Sequence, residues 1–294
     1  MPFVESRKPR LHYRIDDYAD PWREAGTLVL QHGFARSSKF WYAFIPHLSG
    51  QYRVVRPDLR GHGKSPVDFD TSAPQSIEDY VGDVIALLDA LEVDAVHYCG
   101  ESFGGIVGMA LAALHPDRVR TLTLIGSPVY QNQKSQDTYA AGFASREEAL
   151  RALGTRQWAE KVYGAPRFFP EGTDPPLRNW YLSEIGKTDP EVLCALYGLL
   201  RHASAEALLP KIAAPVLGLY PTSSMLTSAE QEELLTRGIR HLTMIHMPTS
   251  SHAILTLYPQ ELAAHLISFI KRHDGRGTDG AEGSSPPGAP RGRE

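Results

Sequence analysis

Short apolar runs alternate with segments of helical periodicity between residues 27 and 125. The runs at 27–31, 52–56 and 119–125 have the length and apolar content of buried strands. Between them, apolar residues of the segment 77–91 recur at spacings of three and four, which predicts a helix. Strands that alternate with helices in this way predict a mostly parallel, twisted sheet with helices on both faces.

The pattern changes between residues 127 and 210, where helical segments follow one another with no convincing strand. Ser145-x-x-Glu148 predicts the start of one helix, since serine caps the first turn. We predict a helical cap inserted over the carboxyl edge of the sheet, where ligands bind in open α/β folds. Aromatic residues are dense in this segment, and we expect Trp158 and Trp180 to contribute to substrate binding.

Strands at 214–220 and 239–245, with helices at 230–237 and 259–272, continue the α/β pattern after the cap. An additional helix is predicted at 40–48. The predicted organisation is therefore a core in two parts, 1–126 and 211–273, separated by the cap at 127–210. Residues 274–294 are rich in Gly, Pro, Ser and charge, so we expect a disordered tail.

The stretch Gly100-Glu101-Ser102-Phe103-Gly104 lies between an apolar run and a small, apolar, helix-like run. A serine at such a sharp strand-to-helix turn is held in strained backbone, and glycines two residues away on each side avoid collisions. The turn holds the hydroxyl clear of the sheet, at the N-terminus of a helix. Ser102 is therefore the candidate nucleophile.

A serine hydroxyl needs a base to act as a nucleophile, and that base must come from a loop at the same edge of the sheet. His252 follows the last predicted strand after a loop and precedes the last helix, whereas His246 lies nearer the strand itself. The order of serine first and histidine last fits a nucleophile elbow, so we predict His252 as the base. Upstream, His32-Gly33-Phe34 ends a strand and forms a loop that turns the amide of Phe34 inward.

These stretches resemble the α/β-hydrolase superfamily. The resemblance rests on His32-Gly33-Phe34, on Asp58-Leu59-Arg60-Gly61-His62-Gly63-Lys64-Ser65, on Gly100-Glu101-Ser102-Phe103-Gly104-Gly105 and on His252. It covers the chain except the cap and tail, and the core looks most like 3-oxoadipate enol-lactonases and similar bacterial esterases. It implies an α/β-hydrolase fold in which Ser102 attacks a carbonyl, His252 takes its proton, and the amides of Phe34 and Phe103 hold the oxyanion. His32 and Gly33 would then lie beside the substrate, whereas the charged residues between Asp58 and Ser65 are expected to hold a long loop in place.

The sequence departs from the family at the acid that orients the histidine. Ser224 falls where the family has its aspartate, and the alternative position around 126–128 has no carboxylate either. We therefore predict either a Ser–His pair in which Ser224 or a water orients the imidazole, or an acid from an unusual place. Candidates for that acid are Glu230, Asp137 and Glu101.

Composition narrows the functional classes. The 294 residues carry a formal net charge of −4, so the sequence lacks the excess of basic residues that is typical of nucleic-acid-binding proteins. Cys99 and Cys194 do not form a disulfide framework, and no stretch approaches the length of a membrane span, so we expect a cytoplasmic protein. No HxxxH or CxxC spacing is present, so neither a metal nor a cofactor is implied. The expected partner is a small-molecule substrate, bound by a monomer or homodimer.

Three functions follow. The leading one is hydrolysis of a carboxylic ester or lactone of a medium-sized apolar substrate through an acyl-Ser102 intermediate. Hydrolysis of a carbon–carbon bond is the second, with a cap arginine such as Arg151, Arg156 or Arg178 holding a substrate carboxylate. A small-molecule receptor on a hydrolase scaffold is the third, and the absent aspartate is its support.

Overall fold

A computed structural model describes residues 2–4, 9–22, 24–164, 168–224 and 227–274. The strands are β1 (Phe3–Val4), β2 (Leu11–Asp16), β3 (Thr27–Gln31), β4 (Arg53–Pro57), β5 (Val96–Glu101), β6 (Val119–Ile125), β7 (Val216–Pro221) and β8 (Leu242–Met247). They form one eight-stranded sheet in the order β1-β2-β4-β3-β5-β6-β7-β8. The pairs from β4 to β8 are parallel, whereas β1 and β2 join antiparallel at one edge.

Helices occupy the connections between the strands. Those of the core are α1 (Ile45–Leu48), α2 (Ile77–Ala90), α3 (Phe103–Leu114), α8 (Ala229–Gly238), α9 (Ile254–Leu257) and α10 (Pro259–His273). Between β6 and β7 lie α4 (Gln133–Ala140), α5 (Arg146–Tyr163), α6 (Pro175–Ile185) and α7 (Pro190–Leu200). Short 3₁₀ helices span Ser38–Trp41, Pro116–Arg118 and Glu206–Lys211.

The central strands are buried on both faces, which explains why their sequences read as continuous apolar runs. Every residue of β5 and of β7 is buried, and α3 packs against β5 and β6. The predicted α/β-hydrolase fold, with a mostly parallel sheet flanked by helices, is confirmed. No helix in the described ranges combines the length and the apolar character required to cross a bilayer.

The structure corrects one predicted element. Residues 40–48 do not form one helix, because the backbone there makes a 3₁₀ turn at Ser38–Trp41 and a separate single turn at Ile45–Leu48. Pro46 lies at the start of that second turn, where its missing N–H costs nothing. In the described part of the segment predicted as a cap, four α-helices are followed by the start of the 3₁₀ helix Glu206–Lys211, and the described residues there show no strand apart from one isolated bridge between Tyr130 and Ser204. Apart from Asp274, the predicted tail lies outside the described residues.

Candidate active site

Ser102 is the single residue between β5 and α3, and its backbone is strained. Its φ is 51° and its ψ is −116°, a conformation that costs a non-glycine residue about 1–3 kcal/mol. Gly104, two residues on, packs so closely that an added Cβ would lie 2.8 Å from the carbonyl oxygen of His32. Ser102 is partly exposed although its neighbours Glu101 and Phe103 are buried. The turn therefore presents one hydroxyl to the space above the sheet.

The two predicted oxyanion donors lie next to this hydroxyl in the fold. Phe103 is the first residue of α3, so its amide has no partner within the helix. Phe34 follows Gly33, whose added Cβ would lie 2.9 Å from the Cβ of Ser102. Neither amide donates a hydrogen bond to another group in the described part of the chain. Both are available to stabilise negative charge on a ligand.

His252 lies in the loop after β8, with only 6% of its surface exposed. It lines the same cavity as Ser102. No hydrogen bond joins the two side chains among the described residues, but such bonds often form only with substrate present. Burial, helped by the positive charge of Arg36, lowers the pKa of His252 to about 3, so the imidazole is neutral near pH 7.

The Nδ1 atom of His252 is buried and has no hydrogen-bond partner among the described residues. Gly126 packs against this side of the ring, where its added Cβ would lie 3.4 Å from Nδ1. In a complete triad a carboxylate occupies this position and fixes the tautomer of the imidazole. No described residue therefore takes the place of the group that normally orients the base.

Among the side chains proposed for that role, three bond elsewhere. Ser224 accepts a hydrogen bond from the amide of Thr227 at 3.1 Å, Asp137 bonds to Gln133 on its own helix, and Glu230 bonds to Tyr130. The prediction that Ser224 orients His252 is corrected, because Nδ1 receives no hydrogen bond from it.

Glu101 is the only one of the four that comes near the imidazole, and it approaches the other nitrogen. Its Oε1 lies 3.8 Å from Nε2 of His252. The same carboxylate forms a buried ion pair with Arg36, which also donates from Nε to the hydroxyl of Tyr181 at 3.2 Å. Burial would lower the pKa of Arg36, but the Glu101 carboxylate outweighs it and holds that pKa well above its usual value. Glu101 is thus committed to Arg36.

The cavity shared by Ser102 and His252 is narrow, with a volume of about 20 Å³, and it is walled by side chains from both parts of the fold. The residues between β6 and β7 contribute Pro128, Gln131, Ser135, Tyr139, Arg146, Tyr163 and Leu200. Two larger surface depressions, of about 750 and 660 Å³, contain neither Ser102 nor His252. We take the smaller cavity as the site because it alone of the three holds the reactive groups.

Three residues predicted to contact substrate lie outside this cavity. His32 is fully buried, bonds through Nδ1 to the carbonyl of Gly33 and accepts the amide of Leu59 at Nε2, so it holds the loop together. Trp180 packs against Phe40 and lines the 750 Å³ depression instead. Trp158 is fully buried behind Phe34, with ring centroids 6.0 Å apart. These assignments are corrected, because none of the three side chains lines the cavity that contains Ser102 and His252.

The remaining predictions about charged side chains have mixed outcomes. Asp58 is hydrogen-bonded to His12 at 2.7 Å, and Arg60 forms an ion pair with Asp83 at 2.8 Å, so polar contacts hold the loop before α2 as predicted. His246 is half exposed and pairs with Glu232, as expected of a residue other than the base. The arginines proposed to hold a substrate carboxylate face outward: Arg151 pairs with Glu191, Arg156 with Glu160, and Arg178 with the carbonyl of Gly164.

Sequence reasoning missed Arg146, which begins α5 and reaches into the cavity with only 1% of its surface exposed. Its guanidinium lies over three rings, 4.8 Å from the centroid of Phe34, 4.1 Å from Tyr139 and 4.2 Å from Tyr197. Burial lowers its pKa, although an arginine remains charged near neutral pH. The cap serine before it, Ser145, was visible in the sequence, but nothing there distinguishes a buried arginine from an exposed one.

The fold and this constellation define a hydrolase of the α/β type. A family model described as alpha/beta hydrolase fold matches residues 26–256, and the chain belongs to that family. The crystal structure of the enol-lactonase from Burkholderia xenovorans LB400 matches with a TM-score of 0.81 and 25% identity, over 92% of this chain and all of that one.

Two curated relatives illustrate the range of functions in this family. The 3-hydroxybutyrate-oligomer hydrolase of Cupriavidus necator is 30% identical over 290 residues, covering 90% of this chain and 95% of the relative. The karrikin insensitive 2 receptor CA of Petunia hybrida is 27% identical over 256 residues, covering 84% and 92%. The predicted resemblance to enol-lactonase-like esterases is confirmed, and receptors also occur among the relatives.

Proposed function

We propose that the protein is a serine hydrolase that cleaves a carboxylic ester or lactone. The observation that carries this proposal is the shared cavity, in which the strained Ser102 and the neutral imidazole of His252 meet two unpaired amides. The hydrolases among the relatives and structural neighbours support it. The aromatic wall of the cavity favours a substrate with an apolar body.

The reaction follows from the chemistry of these groups. Ser102 Oγ attacks the carbonyl carbon while its proton passes to His252 Nε2, and the carbonyl oxygen becomes an oxyanion held by the amides of Phe34 and Phe103. The intermediate collapses, the carbon–oxygen bond to the alcohol breaks, and the alcohol takes the proton from the imidazolium. Water then attacks the acyl-serine by the same route and releases the acid.

The unpartnered Nδ1 predicts a slow version of this reaction. The base needs its proton on Nδ1, which leaves the lone pair on Nε2 for the serine, but no acceptor holds that proton. In a complete triad, replacing the acid by an uncharged group that favours the wrong tautomer lowers kcat about 10⁴-fold. We therefore expect modest turnover, with the strained serine and the oxyanion donors supplying much of the acceleration.

The proposal is tested with a fluorophosphonate probe and with short 4-nitrophenyl esters. We expect the probe to label Ser102 and the esters to be hydrolysed, and we expect Ser102→Ala to lose labelling and at least about a thousandfold of the activity. Ser72→Ala is the matched control, because Ser72 is exposed and bonds only to Asp70. Equal hydrolysis by the wild type and Ser102→Ala would overturn the proposal.

A small-molecule receptor is the second candidate, and the unpartnered Nδ1 is the observation that favours it. A binding protein needs the cavity but not a well-oriented base. The similarity to a karrikin receptor is in keeping with this function. The labelling experiment separates the two candidates, because a receptor that has lost its chemistry would be folded and yet silent towards the probe.

A further inference from the structure

Arg146 is a cationic side chain of the cavity wall that forms no ion pair in the described part of the chain. Its Nη2 donates to Gln131 Oε1 at 3.2 Å, and this is its single hydrogen bond in the described chain. Its Nε is buried without a partner. A guanidinium has five N–H groups in a planar fork, so most of its donors are left unused.

No carboxylate of the described chain forms an ion pair with Arg146. Glu147, the next residue in sequence, acts on Arg146 only through its nearby negative charge and is itself bound by Arg201 at 3.4 Å. The other cationic group of the cavity differs, because Arg36 is neutralised by Glu101. Placing a charge in the interior without a counter-ion is expensive, and proteins keep such groups mainly where a ligand supplies the missing charge.

The surroundings of Arg146 hold its guanidinium in position. The rings of Phe34, Tyr139 and Tyr197 lie around it at 4.1–4.8 Å, so the attraction between cation and ring fixes the group without satisfying its N–H donors. Gln131 lines the same cavity and orients one edge of the fork. A planar, preorganised fork matches the two oxygens of a carboxylate.

Arg146 lines the same cavity as Ser102. Phe34 contributes its backbone amide to the proposed oxyanion site and its ring to the contact with Arg146. A ligand that carries both a carbonyl group and an anionic group can therefore meet Ser102 and the buried guanidinium within one cavity.

We propose that Arg146, supported by Gln131, binds a carboxylate of the substrate, so that the preferred substrate is an ester or lactone that carries a negative charge. This inference rests on the proposed hydrolase function for the reaction and on Arg146 alone for the selectivity. Arg146 takes the role that the sequence analysis gave to Arg151, Arg156 or Arg178. Those three arginines pair with other groups at the surface and do not line the cavity.

The first test compares two esters of the same shape, 4-nitrophenyl hydrogen glutarate and 4-nitrophenyl pentanoate, which differ in a terminal carboxylate against a methyl group. We expect the wild type to prefer the anionic ester by about tenfold or more in kcat/KM, as charge-assisted hydrogen bonds usually give. Arg146→Met should lose this preference, so that its kcat/KM values for the two esters become equal. Arg146→Lys should keep part of it, because the charge remains but the fork does not.

Arg151→Met is the matched control, because Arg151 lies on the same helix but pairs with Glu191 at the surface. It should leave the preference between the two esters unchanged. Arg146→Met is expected to fold, since replacing an unpaired buried charge by an apolar side chain of similar length removes a desolvation cost. Equal kcat/KM for the two esters in the wild type, or a preference that survives in Arg146→Met, would overturn the proposal.

The second test does not depend on catalysis. Glutarate should raise the Tm of the wild type and of Arg151→Met, whereas glutaramide, its uncharged analogue, should not, and Arg146→Met should respond to neither. If the protein hydrolyses no ester but glutarate still gives this pattern, the hydrolase function fails and the anion site stands. If the esters are cleaved but glutarate raises the Tm of neither the wild type nor Arg151→Met, the hydrolase function stands and the proposed anion site fails.

Discussion

Ser102 and His252 line the same cavity, but the fold holds the two side chains by different means. The serine sits between a fully buried central strand and a buried helix, in a turn whose neighbours leave no room for a methyl group at Gly104. The histidine follows β8, a strand at the edge of the sheet that is mostly half-buried or exposed. Its side chain is buried, yet Nδ1 has no partner in the described structure.

The difference shows which half of the site the sheet itself determines. The nucleophile turn is built from backbone contacts between β3, β5 and α3, so folding of the sheet creates its geometry. The orientation of the base depends on a single additional side chain, and no residue that the structure describes provides it. Packing around the turn therefore holds the strained backbone of Ser102 in place, whereas no described side chain fixes the tautomer of His252.

The two halves of the site are the turn that holds Ser102, here called the nucleophile half, and the loop that holds His252, here called the base half. The largest expected effect comes from Gly104→Ala, which disrupts the nucleophile half. The added methyl group would collide with the backbone carbonyl oxygens of Gln31, the last residue of β3, and of His32, the residue after it. We expect a loss of about 3 kcal/mol or more in the free energy of unfolding, with complete loss of labelling at Ser102. Urea unfolding and probe labelling measure the two effects.

Gly198→Ala is the control for that substitution. Gly198 lies within α7, and no atom within 4 Å would meet an added Cβ there. Alanine should stabilise the protein by about 0.5–1 kcal/mol through helix propensity. If Gly104→Ala were as well tolerated as Gly198→Ala, close packing would not be what holds the nucleophile turn.

The nucleophile half was also the half that the sequence could reveal. Gly100, Ser102 and Gly104 lie within five residues, and their meaning depends only on the strand before them and the helix after them. His252 was accessible because the order of strands brings the loop after β8 to the same edge of the sheet. These are consequences of local periodicity and topology, both of which a single sequence records.

The partners of charged side chains were not accessible in this way. Arg36 and Glu101 are 65 residues apart, and their ion pair depends on how two neighbouring loops pack. Trp180 and Arg146 were misjudged or missed for the same reason, because helical spacing does not show which face of a cap helix turns towards the cavity. The sequence did indicate the absent acid, but it could not show that Gly126 packs against Nδ1 in its place.

The base half can be completed by Gly126→Asp. Gly126 has a φ of +53°, a region that aspartate tolerates at a cost of about 1 kcal/mol, and its Cβ would lie 3.4 Å from Nδ1 of His252. A carboxylate there should hold the proton on Nδ1 and stabilise the imidazolium, so we expect about a tenfold rise in kcat on a short ester. Steady-state kinetics measures the change.

Gly126→Asn is the matched control, because it has the same shape and backbone strain without the charge. It should show no rise in kcat. Similar gains in both variants would mean that packing beside the ring, and not the carboxylate, improves the base. No gain in either would show that the missing acid does not limit the reaction.

The smallest expected effect is the pH dependence of the unmodified protein. Burial and Arg36 lower the pKa of His252 to about 3, so the imidazole stays neutral, and able to accept a proton, throughout the range from pH 8.0 to 5.5. We expect kcat/KM on a neutral ester to change less than about twofold over this range, whereas a base of ordinary pKa near 6.5 would lose about tenfold. Circular dichroism at each pH checks that the protein remains folded. This control is needed because buried neutral histidines destabilise the native state as pH falls below 6.5.

In Gly126→Asp the carboxylate favours the charged imidazolium and raises the pKa of His252, so an acid limb should appear in the pH profile of kcat/KM. A limb near pH 6.5 in the wild type would mean that His252 of the free enzyme has an ordinary pKa and is held as a base by a partner, and the contrast between the two halves of the site would disappear.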